Sequence, residues 1–157
     1  MINKIQEILE STYSVWLFVA ITIIFFGVLF VVLIKKIKKS RLRHVDKMAG
    51  LEFEHYCGEL LETNGFTEVQ VTQASGDYGV DILAKKDGIT YAIQCKRYSS
   101  PVGIKAIQEI YAGKDYYDCM VAVVMTNQYF TNNAIEAAKK LKVLLWNRDD
   151  LERMERG

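Results

Sequence analysis

The sequence has a single proline, Pro101, in 157 residues, and no internal repeat or low-complexity tract. Repeat-built and Pro-rich linker architectures are thereby excluded. Its three cysteines, Cys57, Cys95 and Cys119, show neither a CxxC motif nor paired spacing. No zinc site and no disulfide framework is indicated, and reduced, mostly buried thiols are expected. The two histidines, His44 and His55, do not form a metal-ligand pair and read as surface residues. There is little net charge, +1 overall, and it is unevenly spread. Residues 1–50 hold eight Lys/Arg against three Asp/Glu, and the remaining 107 hold twelve against sixteen. The larger part is therefore acidic, which excludes a domain that grips nucleic acid by overall charge alone. Any DNA role must rest on a local site. No helix-turn-helix pattern or second basic domain suggests sequence reading.

Charge is absent altogether from Val15 to Ile34, 20 residues whose only hydroxyl is Thr22. At about 1.5 Å per residue such a helix reaches roughly 30 Å, the thickness of a hydrocarbon core. A cleaved signal peptide needs a basic leader and a small-residue cleavage site. The leader MINKIQEILE instead carries one Lys against two Glu, and no Ala-x-Ala pattern follows. Next come Lys35, Lys36, Lys38, Lys39, Arg41 and Arg43, a stop-transfer signature that also offers contact with anionic lipid or nucleic acid. The expectation is a short segment at 1–12, one transmembrane helix at 13–34, a basic juxtamembrane linker at 35–49 and a domain at 50–157. By the positive-inside rule the N-terminus lies outside the cell membrane and the domain in the cytoplasm.

Within the domain, Phe53, Tyr56, Cys57, Leu60 and Leu61 recur at helical spacing, predicting a helix over 51–64 that Asn64-Gly65 ends. Alternation predicts strands at 67–72, 80–85 and 90–96, the last two joined by a tight turn at Lys86-Asp87-Gly88. A helix over 103–115, an apolar strand over 119–125, a Thr131-capped helix through 142 and a strand over 143–146 follow. The order α-β-β-β-α-β-α-β ends in strand-helix-strand, hence a parallel pair with a crossover. The expected fold is α/β, a mixed sheet flanked by helices.

The stretch GDYGVDILAKKDGITYAIQCKRYSSPVG carries the chemistry. Gln94 and Lys96 are two apart and leave the same face of their strand, and the hairpin brings Asp81 back beside them. Phosphodiester cleavage uses a hard cation with oxygen ligands. Asp81 offers a carboxylate, Gln94 an amide oxygen and Cys95 a backbone carbonyl. A cation held there polarises a phosphate and acidifies its water. Lys96 can orient that water or stabilise the growing charge. Asp77 reads as a turn former. Lys105 lies where a phosphate contact or a solvated face would serve. Tyr111, Tyr116 and Tyr117 offer stacking on bases, although their helical positions favour ordinary packing.

GxDxGxDI followed by a turn and Gln-Cys-Lys resembles the core of the Mrr-like restriction endonucleases, a family of the PD-(D/E)xK nuclease superfamily in which Gln often replaces the acid. The similarity runs from about Gly50 to Leu151. It includes Phe53-Glu54, Lys96-Arg97-Tyr98, Thr126 and Phe130-Thr131. The resemblance implies a restriction-endonuclease-like fold and Mg²⁺-dependent cleavage of DNA, Mn²⁺ being a possible substitute. It also implies Asp81, Gln94 and Lys96 as active-site residues and Glu54 as the first-helix acid near the metal. Cutting both strands calls for two sites, hence a homodimer. The resulting expectation is a membrane-anchored DNA endonuclease acting in restriction of foreign DNA. The alternative is a catalytically silent nuclease-like module that binds or senses DNA at the membrane.

Overall fold

The structure, a computed structural model, describes residues 16–17, 19–33, 44–72 and 78–157. It divides into two compact units, residues 1–41 and 42–157. In the first, residues 19–33 form a helix, α1, whose side chains are exposed. Among the described residues no helix is long and apolar enough to cross a membrane. The transmembrane span expected at 13–34 is described only in part: residues 13–15, 18 and 34 lie outside the described residues, as does the basic run at 35–43.

The second unit opens before Gly50. A 3-10 turn, Val45–Lys47, buries Val45 completely. Helix α2 (Gly50–Thr63) follows, its first turn closed by Glu52, whose Oε2 accepts from the Ala49 amide at 3.2 Å. Its apolar stripe lands as the spacing requires, with Phe53, Cys57, Leu60 and Leu61 all buried. Strands β1 (Thr67–Val71), β2 (Ile82–Lys86) and β3 (Ile89–Lys96) come next. Asp87 and Gly88, at φ +52° and +79°, turn β2 into β3. Left-handed backbone at both positions matches the twist of the two strands, so the register locks with Lys86 opposite Ile89. Helix α3 (Ile104–Tyr116), strand β4 (Val121–Thr126), helix α4 (Asn132–Leu141) and strand β5 (Val143–Trp146) complete the expected order.

One further helix, α5 (Arg148–Met154), closes the chain. Its signal is a capping box: Asn147 Oδ1 accepts from the Asp149 amide at 2.8 Å, and Asp150 Oδ2 accepts from the Asn147 amide at 2.8 Å. Leu151 then anchors it in the core.

The sheet runs β1-β2-β3-β4-β5, antiparallel through β3 and parallel from β3 to β5. Two apolar layers cover it. On one face Phe53, Leu61 and Leu151 meet Ile82, Ile93, Val123 and Met125. On the other, Ala106, Ile107, Ile110, Ala134 and Ala138 meet Val80, Ala92, Ala122 and Val124. Each large side chain so buried contributes roughly 2 kcal/mol of transfer free energy. Both crossover helices, α3 and α4, thus share one face. The carboxyl ends of β3 and β4 meet there, the usual location for a ligand in an open α/β sheet.

Candidate active site

Asp81 stands at the entry to β2. Its amide donates to Ile93 O at 2.9 Å, and pairing of Ile82 with Ile93 sets it opposite Gln94. Its Oδ2 accepts from the Cys95 amide at 2.6 Å, which turns the carboxylate toward β3. The N–H and C=O of one strand residue point to the same side, so the Cys95 carbonyl faces the Asp81 side as well.

Gln94 is 1% exposed. Its Nε2 donates to Glu109 Oε2 at 3.0 Å, on α3. Lys96 leaves the same face, with Nζ 3.4 Å from that same oxygen. Asp81, Gln94 and Lys96 are therefore gathered at the carboxyl end of β3. Glu54 lies on α2, which packs on the sheet face opposite α3, and its charge reaches Cys95 together with that of Asp81. Burial pushes the Cys95 thiol well up, a hydrogen bond with Cys57 adds to this, and the charges of Asp81 and Glu54 add further. The thiol stays protonated, so the carbonyl is the group Cys95 can offer a hard cation.

Glu109 is a residue that the sequence pattern does not single out. Burial alone would raise its carboxyl, but the Gln94 hydrogen bond and the Lys96 and Lys105 charges outweigh burial and hold it below the usual range. Its placement between the buried Ile107 and Ile110, four residues after Lys105, signals only a helix-surface ion pair. Lys105 Nζ does lie 3.6 Å from Glu109 Oε1, yet its side chain is 87% exposed. The pairing with Gln94 is a matter of tertiary packing. Lys96, Lys105, Tyr98 and Gly103 also line a cavity of about 170 Å³ at the amino end of α3, with Glu109 on its wall.

Close backbone approach holds α3 in place. Gly79 has φ +79°, and a Cβ there would sit 3.0 Å from Gln94 Nε2 and 3.1 Å from Glu109 Cβ. At Gly113 a Cβ would lie 2.6 Å from Tyr78 O. Only glycine allows the segment 78–80 to rest on the helix. Asp77 lies outside the described residues. Tyr116, expected to pack, stacks on Tyr78 at 3.9 Å between ring centroids, and both residues stay more than half exposed. Tyr111 is 39% exposed, whereas Tyr117 packs against the α3/α4 layer.

Among the described residues no group of three or more His, Cys, Asp or Glu side chains could hold a metal. The donor set at the end of β3 is of another kind: one carboxylate, one amide oxygen and one backbone carbonyl. It has a specific mark of a missing partner. Gln94 Oε1 is buried and finds no hydrogen-bond partner among the described residues. A buried carbonyl oxygen left bare costs roughly 1–3 kcal/mol, and a hard cation is a natural partner for it. The residues present fit a divalent cation.

The five-stranded mixed sheet with its flanking helices is the fold of restriction endonucleases. At 16% identity and TM-score 0.58 the chain matches the MspJI restriction endonuclease, solved in complex with a 27-mer oligonucleotide, over 77% of this chain and 30% of that one. The DNA modification-dependent restriction endonuclease AspBHI matches at 16% identity and TM-score 0.53, over 77% of this chain and 33% of that one. A protein of unknown function, AF1548, matches at 22% identity and TM-score 0.54, over 66% of this chain and 65% of that one. The matched part is thus about a third of the two restriction enzymes. No curated protein matches the sequence. The family model of the Mrr catalytic domain, described as restriction endonuclease, matches residues 45–154. The chain belongs to this family.

Proposed function

We propose that the domain hydrolyses DNA phosphodiester bonds with the help of a divalent cation, Mg²⁺ or Mn²⁺. Asp81, Gln94 Oε1 and the Cys95 carbonyl would hold it. A cation bound there supplies Lewis acidity to the scissile phosphate and to its water. The chain's own groups do the rest. Asp81, fixed by the Cys95 amide, brings the negative charge that attracts the metal. Lys96 Nζ, held beside Gln94, offers a cation to the charge that grows on the phosphate oxygens. Lys105 and Lys96 give the adjoining cavity the charge to seat a backbone phosphate. Glu54, whose charge reaches Cys95 as that of Asp81 does, completes the acidic surroundings. The bare, buried Gln94 Oε1, on the strand residue set opposite Asp81, is the observation that carries this reading.

The uncharged run from Val15 to Ile34 and the lysines and arginines after it support a single-pass anchor in the cell membrane, with the N-terminus outside and the nuclease domain in the cytoplasm. Cleavage would then be confined to DNA near the membrane, as in restriction of foreign DNA. Double-strand cutting would engage two copies of the chain.

The test is plasmid nicking by the purified full chain with Mg²⁺ or Mn²⁺, beside Asp81→Ala and Lys96→Ala. Cleavage that both substitutions abolish establishes the nuclease and its site. Activity that survives both shows that the site is misplaced. The acidic balance of residues 51–157 favours a second reading, a silent DNA-binding module. Absence of cleavage on plain, methylated and branched DNA by a folded chain would establish that instead.

A further inference from the structure

We propose that Glu109 is a positioning residue of this site, one that fixes the Gln94 amide so that its oxygen, and not its nitrogen, faces the cation. The inference rests on the reading of Asp81, Gln94 and Cys95 as the cation's ligands, and adds a residue from outside the hairpin that carries them.

A glutamine in a ligand position has a problem that a glutamate does not. Its two ends have nearly the same shape and opposite chemistry, an acceptor oxygen and a donor nitrogen. Turned the wrong way, the amide would aim N–H groups at a cation. Something must select the orientation, and a group that only accepts hydrogen bonds does so. Glu109 Oε2 lies 3.0 Å from the amide. Gln94 Oε1 in that place would bring two oxygens together with no proton between them, so Nε2 must face Glu109. The oxygen then points away, and it is the atom left buried and bare.

Three more observations fit a device of this kind. The same Glu109 oxygen takes Lys96 Nζ at 3.4 Å, so one atom sets the spacing of both β3 side chains. Gly79 and Gly113 bring the segment 78–80 onto α3, with a Cβ at Gly79 only 3.1 Å from Glu109 Cβ. That leaves Glu109 little room to swing away. Its charge also returns to the site what a neutral ligand withholds. The plainer role, an i,i+4 ion pair with the exposed Lys105, is weak and explains nothing about Gln94.

The experiment uses the full chain and Mn²⁺ alone, with binding followed by the paramagnetic resonance of the free ion. In parallel, [¹⁵N]glutamine labelling follows the Gln94 side-chain amide, identified by its absence from Gln94→Ala. In the metal-free parent that amide should show the shift and slow exchange of a buried hydrogen bond. Glu109→Ala should lose this signature and weaken Mn²⁺ binding by about tenfold or more, as losing an outer-shell partner does. Glu109→Gln, whose amide can donate as well as accept and carries no charge, no longer selects the Gln94 orientation and should also bind Mn²⁺ more weakly than the parent. If Glu109→Ala binds as tightly as the parent while Gln94→Ala does not, the positioning role fails and the ligand set stands. If Gln94→Ala binds as tightly as the parent, or the parent binds no Mn²⁺, the ligand reading fails and this inference with it. A Gln94 amide that exchanges freely in the parent overturns the positioning role whatever the variants bind.

Discussion

Two side-chain amides in the domain, Asn127 and Gln94, are each 1% exposed, and they are treated oppositely. Asn127 uses both ends: Oδ1 accepts from the Tyr98 amide at 2.9 Å, while Nδ2 donates to Asp46 Oδ1 at 2.9 Å and to Tyr98 O at 3.0 Å. Arg148 joins the cluster, reaching Asp46 with both terminal nitrogens and Asn127 O with one. Gln94 makes one bond, through Nε2, and its oxygen is left over. A buried amide with every partner in place ties segments together. One with a bare oxygen is incomplete until something is added, and folding alone gains nothing from it. The contrast separates a structural knot from a site.

Asn127→Ala should therefore show the largest stability loss, about 3 kcal/mol, because Tyr98 and Asp46 lose buried partners together. Urea denaturation of the full chain measures it. A loss below about 1 kcal/mol would mean that the knot is not what holds these segments. Gly113→Ala comes next. Alanine ordinarily gains up to about 1 kcal/mol over glycine in a helix, but this methyl would press on Tyr78 O. A net loss of about 2 kcal/mol is expected, with weaker Mn²⁺ binding as segment 78–80 lifts from α3. Unchanged stability would show that the approach is not as tight as its geometry indicates. Gln94→Met completes the series. It should change stability by less than about 1 kcal/mol, since it removes a bare oxygen as well as one hydrogen bond. Mn²⁺ affinity should nevertheless fall by about tenfold or more, as for a lost metal ligand. A large destabilisation without loss of affinity would reverse the comparison.

Much of this is legible in the sequence, because it depends on local periodicity. The stripe Phe53, Cys57, Leu60 and Leu61, the Asp87-Gly88 turn and the two-residue spacing of Gln94 and Lys96 each need only a few neighbouring residues. The hairpin makes the approach of Asp81 to β3 readable too. Helix α5 escapes such a reading because it is only seven residues long, too few for a convincing apolar stripe. Glu109 escapes it for a deeper reason. Its partner Gln94 is fifteen residues away on another element, and the only signal near it, Lys105 four residues earlier, points to solvent. Tyr116 is expected to pack, but its partner Tyr78 lies on another segment thirty-eight residues earlier, which helical spacing does not reveal.

The knot also titrates. Hydrogen bonds from Arg148 hold the Asp46 carboxyl below the usual carboxylate range, burial works against them, and the Asn127 bond with the charges of Arg148 and Arg97 adds to the lowering. A group whose pKa is depressed on folding contributes stability that is fully present above its unfolded value, near 4. That contribution is lost as the pH falls through the lower folded value. The Asp46 side chain is 38% exposed, so solvent screening keeps the effect under about 1 kcal/mol. Denaturation of parent and Asp46→Asn should therefore differ above about pH 4 and converge on acidification. The amide introduced by this substitution cannot ionise, yet it retains an acceptor for Asn127. If the gap between the two stays constant down to about pH 2, the Arg148 contact acts through shape and hydrogen bonding and not through charge. The knot would then hold its segments together without depending on pH.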